Sequence, residues 1–584
     1  MPDEPHPLSP VTIRRLAIGL TQGVALYLMF KAYELKVWPA TELTAFQALL
    51  LPLLFVPLAA IHADGHLPRR AVFTWLGAAA LGCALVGFFD GYRYPHVLDV
   101  NTWEPGAMLV GTAFGLFISE ALLLAAHADG RRVPSYPTYF DAISKHAVQV
   151  VAAAAFTGVL WLLLTLGSEL FQLIKLNFLE NLFDEEWFSI PVTTLALATA
   201  IHSTDMRYGL VHGIRTLALT LLSWLLPVLT LIAAGFLVSL PFTGLQPLWD
   251  TRFAAGLLLA VAAALIVLTN AAYQDGAPEN QPRTVLKGAM MLAMALPAPL
   301  IAIAAHALYL RVAQYGWTTD RVLALACVLI GACFGLGYLA ALAKRERLEA
   351  TNLIASFSAV AVLFSLFTPI VDPARISVSS QMARLMDGRI SAEMFDYKYL
   401  RFEGGRYGAA ALAGMQTGEF KIAGAAERAA QAAALTRRYP GEEPMDGKSL
   451  ALNIAVADGG ALPANFLAQD WMGVEKVGYP NCMRMQAEKC EAVLLDLDAD
   501  GTEEMVLIPE GADTPPTIFS YQDGRWSRAG SFPRRLACED MRTLLRSGAL
   551  STAPSRWPDL EIGGLRMEIA ERTEYEPQEC PETR

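Results

Sequence analysis

Charge is scarce in this sequence. Only 17% of its 584 residues are Asp, Glu, Lys or Arg, against 54% that are hydrophobic. A soluble globular chain carries about a quarter charged residues. The shortage is confined to the stretch before Val371, where long apolar runs succeed one another, and the remainder has ordinary soluble composition. A net charge of −11, with no basic patch interleaved with aromatics and no zinc-finger spacing, excludes nucleic acid as a partner. Walker loops, G-x-S-x-G elbows and H-E-x-x-H helices are also missing. Short outer loops leave little room for a glycosyltransferase-type active site, so a lipid- or glycan-modifying enzyme is the weakest of the function classes. No small-x-small cleavage site follows the first apolar run, which therefore reads as a transmembrane helix and not a cleaved signal.

Cysteine is equally sparse, seven in all. Cys83, Cys327 and Cys333 fall inside apolar runs, where a free thiol behaves as a small hydrophobe. Cys482, Cys490, Cys538 and Cys580 lie in the C-terminal region. An even number in an oxidising compartment suggests two disulfides, with three connectivities open. Pairing nearest neighbours would join Cys482 to Cys490 and Cys538 to Cys580. Four free thiols in a cytosolic domain is the alternative.

What the sequence does have is apolar length. A helix needs about 20 mostly apolar residues to cross the hydrocarbon core. Stretches of that kind stand near 13–34, 43–62, 71–90, 106–127, 147–171, 188–203, 213–240, 252–273, 286–310, 321–343 and 350–371. The sixth is short and could be re-entrant or interfacial. With all eleven crossing and the N-terminus inside, the inner segments hold fourteen Lys and Arg, from Arg14 and Arg15 to Arg345 and Arg347, and the outer loops seven. Without the sixth crossing the count becomes ten against eleven and the bias disappears. The expected fold is a polytopic α-helical membrane protein of about eleven transmembrane helices over residues 1–371. A C-terminal soluble α+β domain, extracytoplasmic, follows over 372–584.

Ionisable residues inside the membrane are costly and tend to face a bundle interior or water. Glu120, Glu169 and His306 are the candidates for a polar path, with Asn270 and Asn352 nearer span ends. Helix–helix hydrogen bonding, or reach to an interface, is the competing explanation, strongest for Glu169. Pro297 and Pro299 should break one helix, and Pro52 and Pro57 interrupt another. The acidic, aromatic "NFLENLFDEEWF" reads as an interfacial helix with Trp187 at headgroup level. In the soluble region, "SSQMARLMDGR" reads as a short helix ended by Gly388, and Ser391 as the cap of the next. Residues 419–437 should be helical, "AVLLDL" and "EMVLIP" strands, and "TIFSYQDGRWSRAG" a hairpin turning at Asp523–Gly524.

The join "TPIVDPARISV…ARLMDGRISAEMFDYKYLRFEGGRYGAAAL", the earlier "QYGWTTDRVLAL" and the N-terminal "GLTQGVALYLMFKAYELKVWPAT" resemble the bacterial membrane family catalogued as domain of unknown function 4153. The resemblance extends over most of the chain, including an Asp-rich loop. It implies an inner-membrane protein with a C-terminal soluble region, and it carries over no catalytic residues.

That loop, D-x-D-x-D-G-x-x-E, comprises Asp496, Asp498, Asp500, Thr502 and Glu504. Alternate carboxylates, a glycine turn at Gly501 and a Thr502 carbonyl suit a calcium ion, which takes six to eight oxygens. Leu507 occupies the twelfth position and strands flank the loop, so it is not an EF-hand. It resembles the strand–loop–strand calcium turns of FG-GAP repeats, with Ca2+ as a structural ion. The alternative is an Asp-rich turn held by its own backbone. Two function classes follow. One is an anchored external domain that senses, scaffolds or binds an envelope protein or glycan. The other is a transporter or channel using Glu120 and His306.

Overall fold

The computed structural model describes residues 9–94, 106–246, 248, 254–277, 284–344, 346–435, 447–457, 459–469, 471, 479–483, 489–497, 500–509, 516–522, 524–531, 560–562 and 565–567. Its contacts divide the chain into two compact units, Met1–Leu435 and Thr436–Arg584.

The first unit is built from long helices: α1 (Pro10–Glu34), α2 (Leu43–Ala63), α3 (Arg69–Arg93), α4 (Gly106–Ala128), α5 (Tyr136–Gln172), a short α6 (Phe178–Phe183), α7 (Glu186–Met206), α8 (Tyr208–Thr243), α9 (Ala254–Tyr273), α10 (Thr284–Ala295), α11 (Pro297–Tyr315), α12 (Thr319–Ala343) and α13 (Glu346–Leu366). In lipid every backbone polar group must be satisfied within the chain, and helices do so segment by segment. Among the described residues, ten stretches are long and apolar enough to cross a membrane, α10 and α11 together forming one of them. The break between those two falls at Leu296, where Pro297 cannot donate the next backbone hydrogen bond. By contrast, α2 continues through both Pro52 and Pro57.

The contested sixth segment, α7, is not among the ten. Its packing nonetheless carries it through the full depth of α1. The two helices run antiparallel: Asp205 meets Arg15 at one end, Gly19 and Gly23 press on Ala198 and on Pro191 and Thr194 in the middle, and Glu186 meets Lys31 at the other. At about 1.5 Å per residue its 21 residues span roughly 31 Å, the thickness of the hydrocarbon core. Part of its low hydropathy comes from threonines whose hydroxyls turn back to their own helix: Thr193 donates to Ser189 O, Thr194 to Ile190 O, Thr199 to Leu195 O and Thr204 to Ala200 O.

Contacts between helix ends define two levels. At one, Arg15 of α1 donates to Asp64 O just past α2, and Lys145 of α5 meets Asp205 of α7. At the other, Arg93 of α3 pairs with Asp372 and donates to Leu366 O at the end of α13. The start of α1 and the end of α13 therefore lie at opposite ends of the bundle.

Past α13 the chain stays within the first unit. Helices α14 (Pro373–Met386), α15 (Tyr397–Phe402), α16 (Gly405–Gln416) and α17 (Ala425–Ala434) enclose a core of Val378, Met382, Leu400, Leu412 and Met415. They are tied to the bundle where Ser380 Oγ accepts from Trp317 N and the Tyr399 hydroxyl from Thr319 N. Asp372 caps α14, and Gly388 follows it with φ +70°. The expectation that Ser391 starts a helix is not met: residues 392–394 form a turn, and the next helix is capped by Asp396, whose carboxylate accepts from Tyr399 N. Residues 419–424, expected to be helical, precede the helix that begins at Ala425.

The second unit holds helices α18 (Gly447–Asn453) and α19 (Ala464–Ala468). It also holds a five-stranded sheet in sequence order, β1 (Ile454–Val456), β2 (Cys490–Leu495), β3 (Glu504–Pro509), β4 (Thr517–Gln522) and β5 (Arg525–Ser531). Only β1 and β2 run parallel. A hairpin of β6 (Leu560–Ile562) and β7 (Leu565–Met567) forms a separate sheet. Strand β3 is buried on both faces: Met505 and Leu507 pack with Phe466, Trp471, Phe519 and Trp526, while Val506 and Ile508 pack with Val493. Polar tips of the aromatics are satisfied, Trp471 Nε1 donating to Phe466 O and Trp526 Nε1 to Asn465 Oδ1. The expected strands and the β4–β5 hairpin are present, with Gly524 at φ +79° in its turn.

Small residues let the membrane helices approach closely. A Cβ on Gly87 of α3 would stand 2.2 Å from Gln47 O of α2, whereas Gly158 of α5 has nothing within 4 Å. Gly87→Ala should destabilise the detergent-solubilised protein by about 1–3 kcal/mol, the usual cost of overpacking, while Gly158→Ala should not. Thermal melts of the two variants check this, and indistinguishable curves would refute the packing argument.

Candidate functional site in the helical bundle

The first unit concentrates ionisable groups at the Arg15 level. Arg15 is 2% exposed, which in an apolar bundle demands an internal partner. It finds Asp205 at 2.8 Å, Asp64 O at 2.5 Å and His202 Nδ1 at 3.5 Å. Asp205 in turn takes Lys145 at 2.9 Å, His66 at 3.2 Å and Gln149 at 3.5 Å. One carboxylate thus joins α1, α5, α7 and the turn after α2. His66 lies in that turn, outside the spans; burial pulls its imidazole below the ordinary value, and Asp205 opposes the shift.

One turn deeper stands a second constellation. His62 near the end of α2, Glu120 of α4 and His146 of α5 bring their ligating atoms within 4.8 Å of one another, the group of three metal-ligating side chains found among the described residues. The two imidazoles meet edge to face at 4.9 Å between ring centres, and Phe117 flanks His146 at 6.2 Å. Glu120 is 8% exposed. Its Oε1 is buried without a well-aligned hydrogen bond, and the Trp75 indole, whose Nε1 likewise lacks one, stands within reach of the carboxylate. Trp75 also lines an apolar groove of about 250 Å³ between α3, α4 and α13, bounded by Gly111, Gly115, Leu363 and Phe367.

Of the residues singled out for a polar path, Glu120 is therefore at a built site, but without the partners expected for it. Glu169 is exposed on α5, 23 residues beyond His146 and so roughly 35 Å along the helix. His306 is exposed on α11, its ring 6.3 Å from that of Tyr309. Asn270 and Asn352 close a hydrogen-bonded ring with Tyr338: Asn270 Nδ2 donates to the Tyr338 hydroxyl, Tyr338 to Asn352 Oδ1, and Asn352 Nδ2 to Asn270 Oδ1. That ring locks α9, α12 and α13 together. His62 and His146 escaped the sequence reading because each sits at the margin of an apolar run, His146 one residue before the stretch at 147–171. The signal was present in the pairing of histidines at span margins with a carboxylate within a span.

In the second unit, the Asp-rich loop joins β2 to β3, with Leu495 paired to Glu504. Glu504 is buried, and its Oε2 accepts from Leu497 N at 2.8 Å. Asp496 Oδ1 accepts from Asp500 N and Oδ2 from Gly501 N, and Asp500 Oδ1 accepts from Thr502 N. Gly501 adopts φ +85°. The loop is thus curled around its own amides, and each Asp496 oxygen retains a lone pair for a cation. Asp498 lies outside the described residues. Cys482 and Cys490 form a disulfide, Cα atoms 5.8 Å apart. Cys538 and Cys580 lie outside the described residues, and Cys83, Cys327 and Cys333 are free.

Helices of this length, with apolar side chains such as Leu162, Leu166, Leu170, Leu217 and Leu221 turned outward, define a multi-pass integral membrane protein associated with a lipid bilayer. The chain belongs to the family described as Domain of unknown function (DUF4153), matched over residues 45–414. The match runs past α13 into α16, as the first compact unit does, and the Asp-rich loop lies beyond it. Comparison with curated proteins and with solved structures yields no match.

Asp205→Asn should strand Arg15 and Lys145 and cost about 3–5 kcal/mol, as breaking a buried pair does. Arg14→Ala, which removes the half-exposed pair with Asp64, should cost no more than about 1 kcal/mol. Unfolding of the solubilised full chain checks the contrast; equal losses would show that the Asp205 knot is not load-sharing.

Proposed function

We propose that this protein is an envelope-facing binding protein of a bacterial inner membrane. Its N-terminus is cytoplasmic, and the region after α13 lies outside the cytoplasm, where it senses, scaffolds or binds an envelope protein or glycan. The observation that carries this reading is the placement of Arg15 and Asp372 at opposite ends of the bundle. Combined with the excess of Lys and Arg at the Arg15 level, that placement supports an outer location for the residues after α13. The Cys482–Cys490 disulfide favours the same oxidising compartment. Reporter fusions test the orientation: fusion after Leu435 should give active alkaline phosphatase and dark green fluorescent protein, and the reverse pattern sinks the proposal. Removal of residues 436–584 alone should then reproduce the envelope-permeability defect of a complete deletion.

Calcium is proposed as a structural ion of the Asp496–Glu504 loop. Its support is the tight turn at Gly501 and the carboxylates of Asp496, Asp500 and Glu504 gathered on one hairpin connection. Millimolar calcium should raise the melting temperature of the full-length protein, and Asp496→Ala or Asp498→Ala should abolish the rise. An unchanged wild-type melt on adding calcium would dispose of the idea.

A second reading, a cation path through the bundle, is favoured by the convergence of His62, Glu120 and His146. It keeps Glu120 and replaces His306 with the two histidines. Loss of uptake of one ion on complete deletion, retained when only residues 436–584 are removed, would select it over the binding reading.

A further inference from the structure

The buried group His62, Glu120 and His146 has a chemistry that neither helix packing nor the external unit accounts for. We propose that these three side chains hold one divalent first-row transition-metal ion of the zinc type, with the remaining coordination open to water.

Three observations carry this. The first is convergence. The ligands come from α2, α4 and α5, and their ligating atoms lie within 4.8 Å of one another. A tetrahedral ion with bonds of about 2.0–2.2 Å sets its ligand atoms roughly 3.3 Å apart, so small side-chain rotations close the set. The second is an unmet demand. Glu120 is 8% exposed and its Oε1 makes no well-aligned hydrogen bond, the Trp75 indole beside it being poorly placed to serve it. A buried carboxyl oxygen left unpaired costs free energy that a coordinated cation removes. The third is ligand type. Two imidazoles and one carboxylate suit zinc and its first-row neighbours, whereas calcium and magnesium take shells of oxygen.

The surroundings are compatible with a dication. Arg15, Lys145, His66 and Asp205 act on His62 from α1, α5, the turn after α2 and α7. Asp205 engages both Arg15 and Lys145 directly, so their charges are partly spent on it. Phe117 beside His146 and the indole of Trp75 beside Glu120 restrict water, as the walls of a metal site do. The Asp-rich loop offers oxygen ligands alone and is a separate matter. A resident ion that never leaves would fill the site equally, so metal binding here does not require transport.

The test uses tag-free, full-length protein in detergent, stripped with a chelator and titrated with Co2+ and then Zn2+. One equivalent of Co2+ should bind with a visible d–d band, and Zn2+ should displace it. Glu120→Gln, which keeps the side-chain size, and His62→Ala and His146→Ala should each weaken Co2+ binding by about 100-fold or more. Glu169→Gln and His306→Ala should leave it unchanged. Zinc K-edge absorption of the wild type should show two imidazoles, a readout that does not depend on the variants folding. The proposal is overturned if the stripped wild type takes up no ion, if the edge spectrum shows an all-oxygen shell, or if the d–d band survives in the folded His62→Ala/His146→Ala double variant.

Discussion

A buried arginine organises this bundle. Arg15 stands at the start of the first helix, where its guanidinium is buried among the neighbouring helices. The cost of burying that charge is met only because Asp205 arrives from α7, a backbone carbonyl from the end of α2 and an imidazole from His202. Asp205 is then shared with Lys145 and His66, so four chain segments that are far apart in sequence are held at one level. Everything near that level, including the approach of His62 to His146, depends on the helices meeting in this register.

The same rule, that polar groups in hydrocarbon must be satisfied from within, recurs along the unit. Arg93 is matched by Asp372 and the Leu366 carbonyl. Asn270, Tyr338 and Asn352 satisfy one another in a ring. The threonines of α7 donate their hydroxyls to carbonyls one turn back in the same helix, which is how a helix of modest hydropathy can lie along α1. Glu120 shares an unserved buried atom with other groups of the unit, among them Gln47 and Asp372 Oδ2, and what sets it apart is the approach of His62 and His146 to its carboxylate.

Much of the architecture was legible in the residues. Apolar runs of helical length located the spans, because lipid tolerates no other backbone solution for so many consecutive apolar residues. Strands β2 and β3 were legible as short apolar runs and the β4–β5 hairpin from its turn chemistry. Three connectivities of four cysteines stayed open, of which the nearest-neighbour pairing Cys482–Cys490 is present. The site was half legible. Glu120 stood out as a carboxylate inside an apolar run, but His306 and, more weakly, Glu169 were candidates beside it, and both are exposed. Hydropathy registers that a residue is polar, not which side of its helix it occupies. Ser391 illustrates the same limit at short range, since a good cap residue starts a helix only where the following residues pack, and here Asp396 does so instead.

By itself the sequence determined the class of protein, the location of its long apolar segments and the distinct composition of its C-terminal residues, since these depend on composition summed over twenty or more positions. Only the tertiary structure decided that α7 runs the depth of α1, that the helices after Asp372 pack with the bundle, and that His62 and His146 close on Glu120. Those outcomes turn on helix rotation and on contacts between residues 26 to 190 positions apart. Such contacts are settled by packing and by the pairing of buried charge, and no local pattern encodes them.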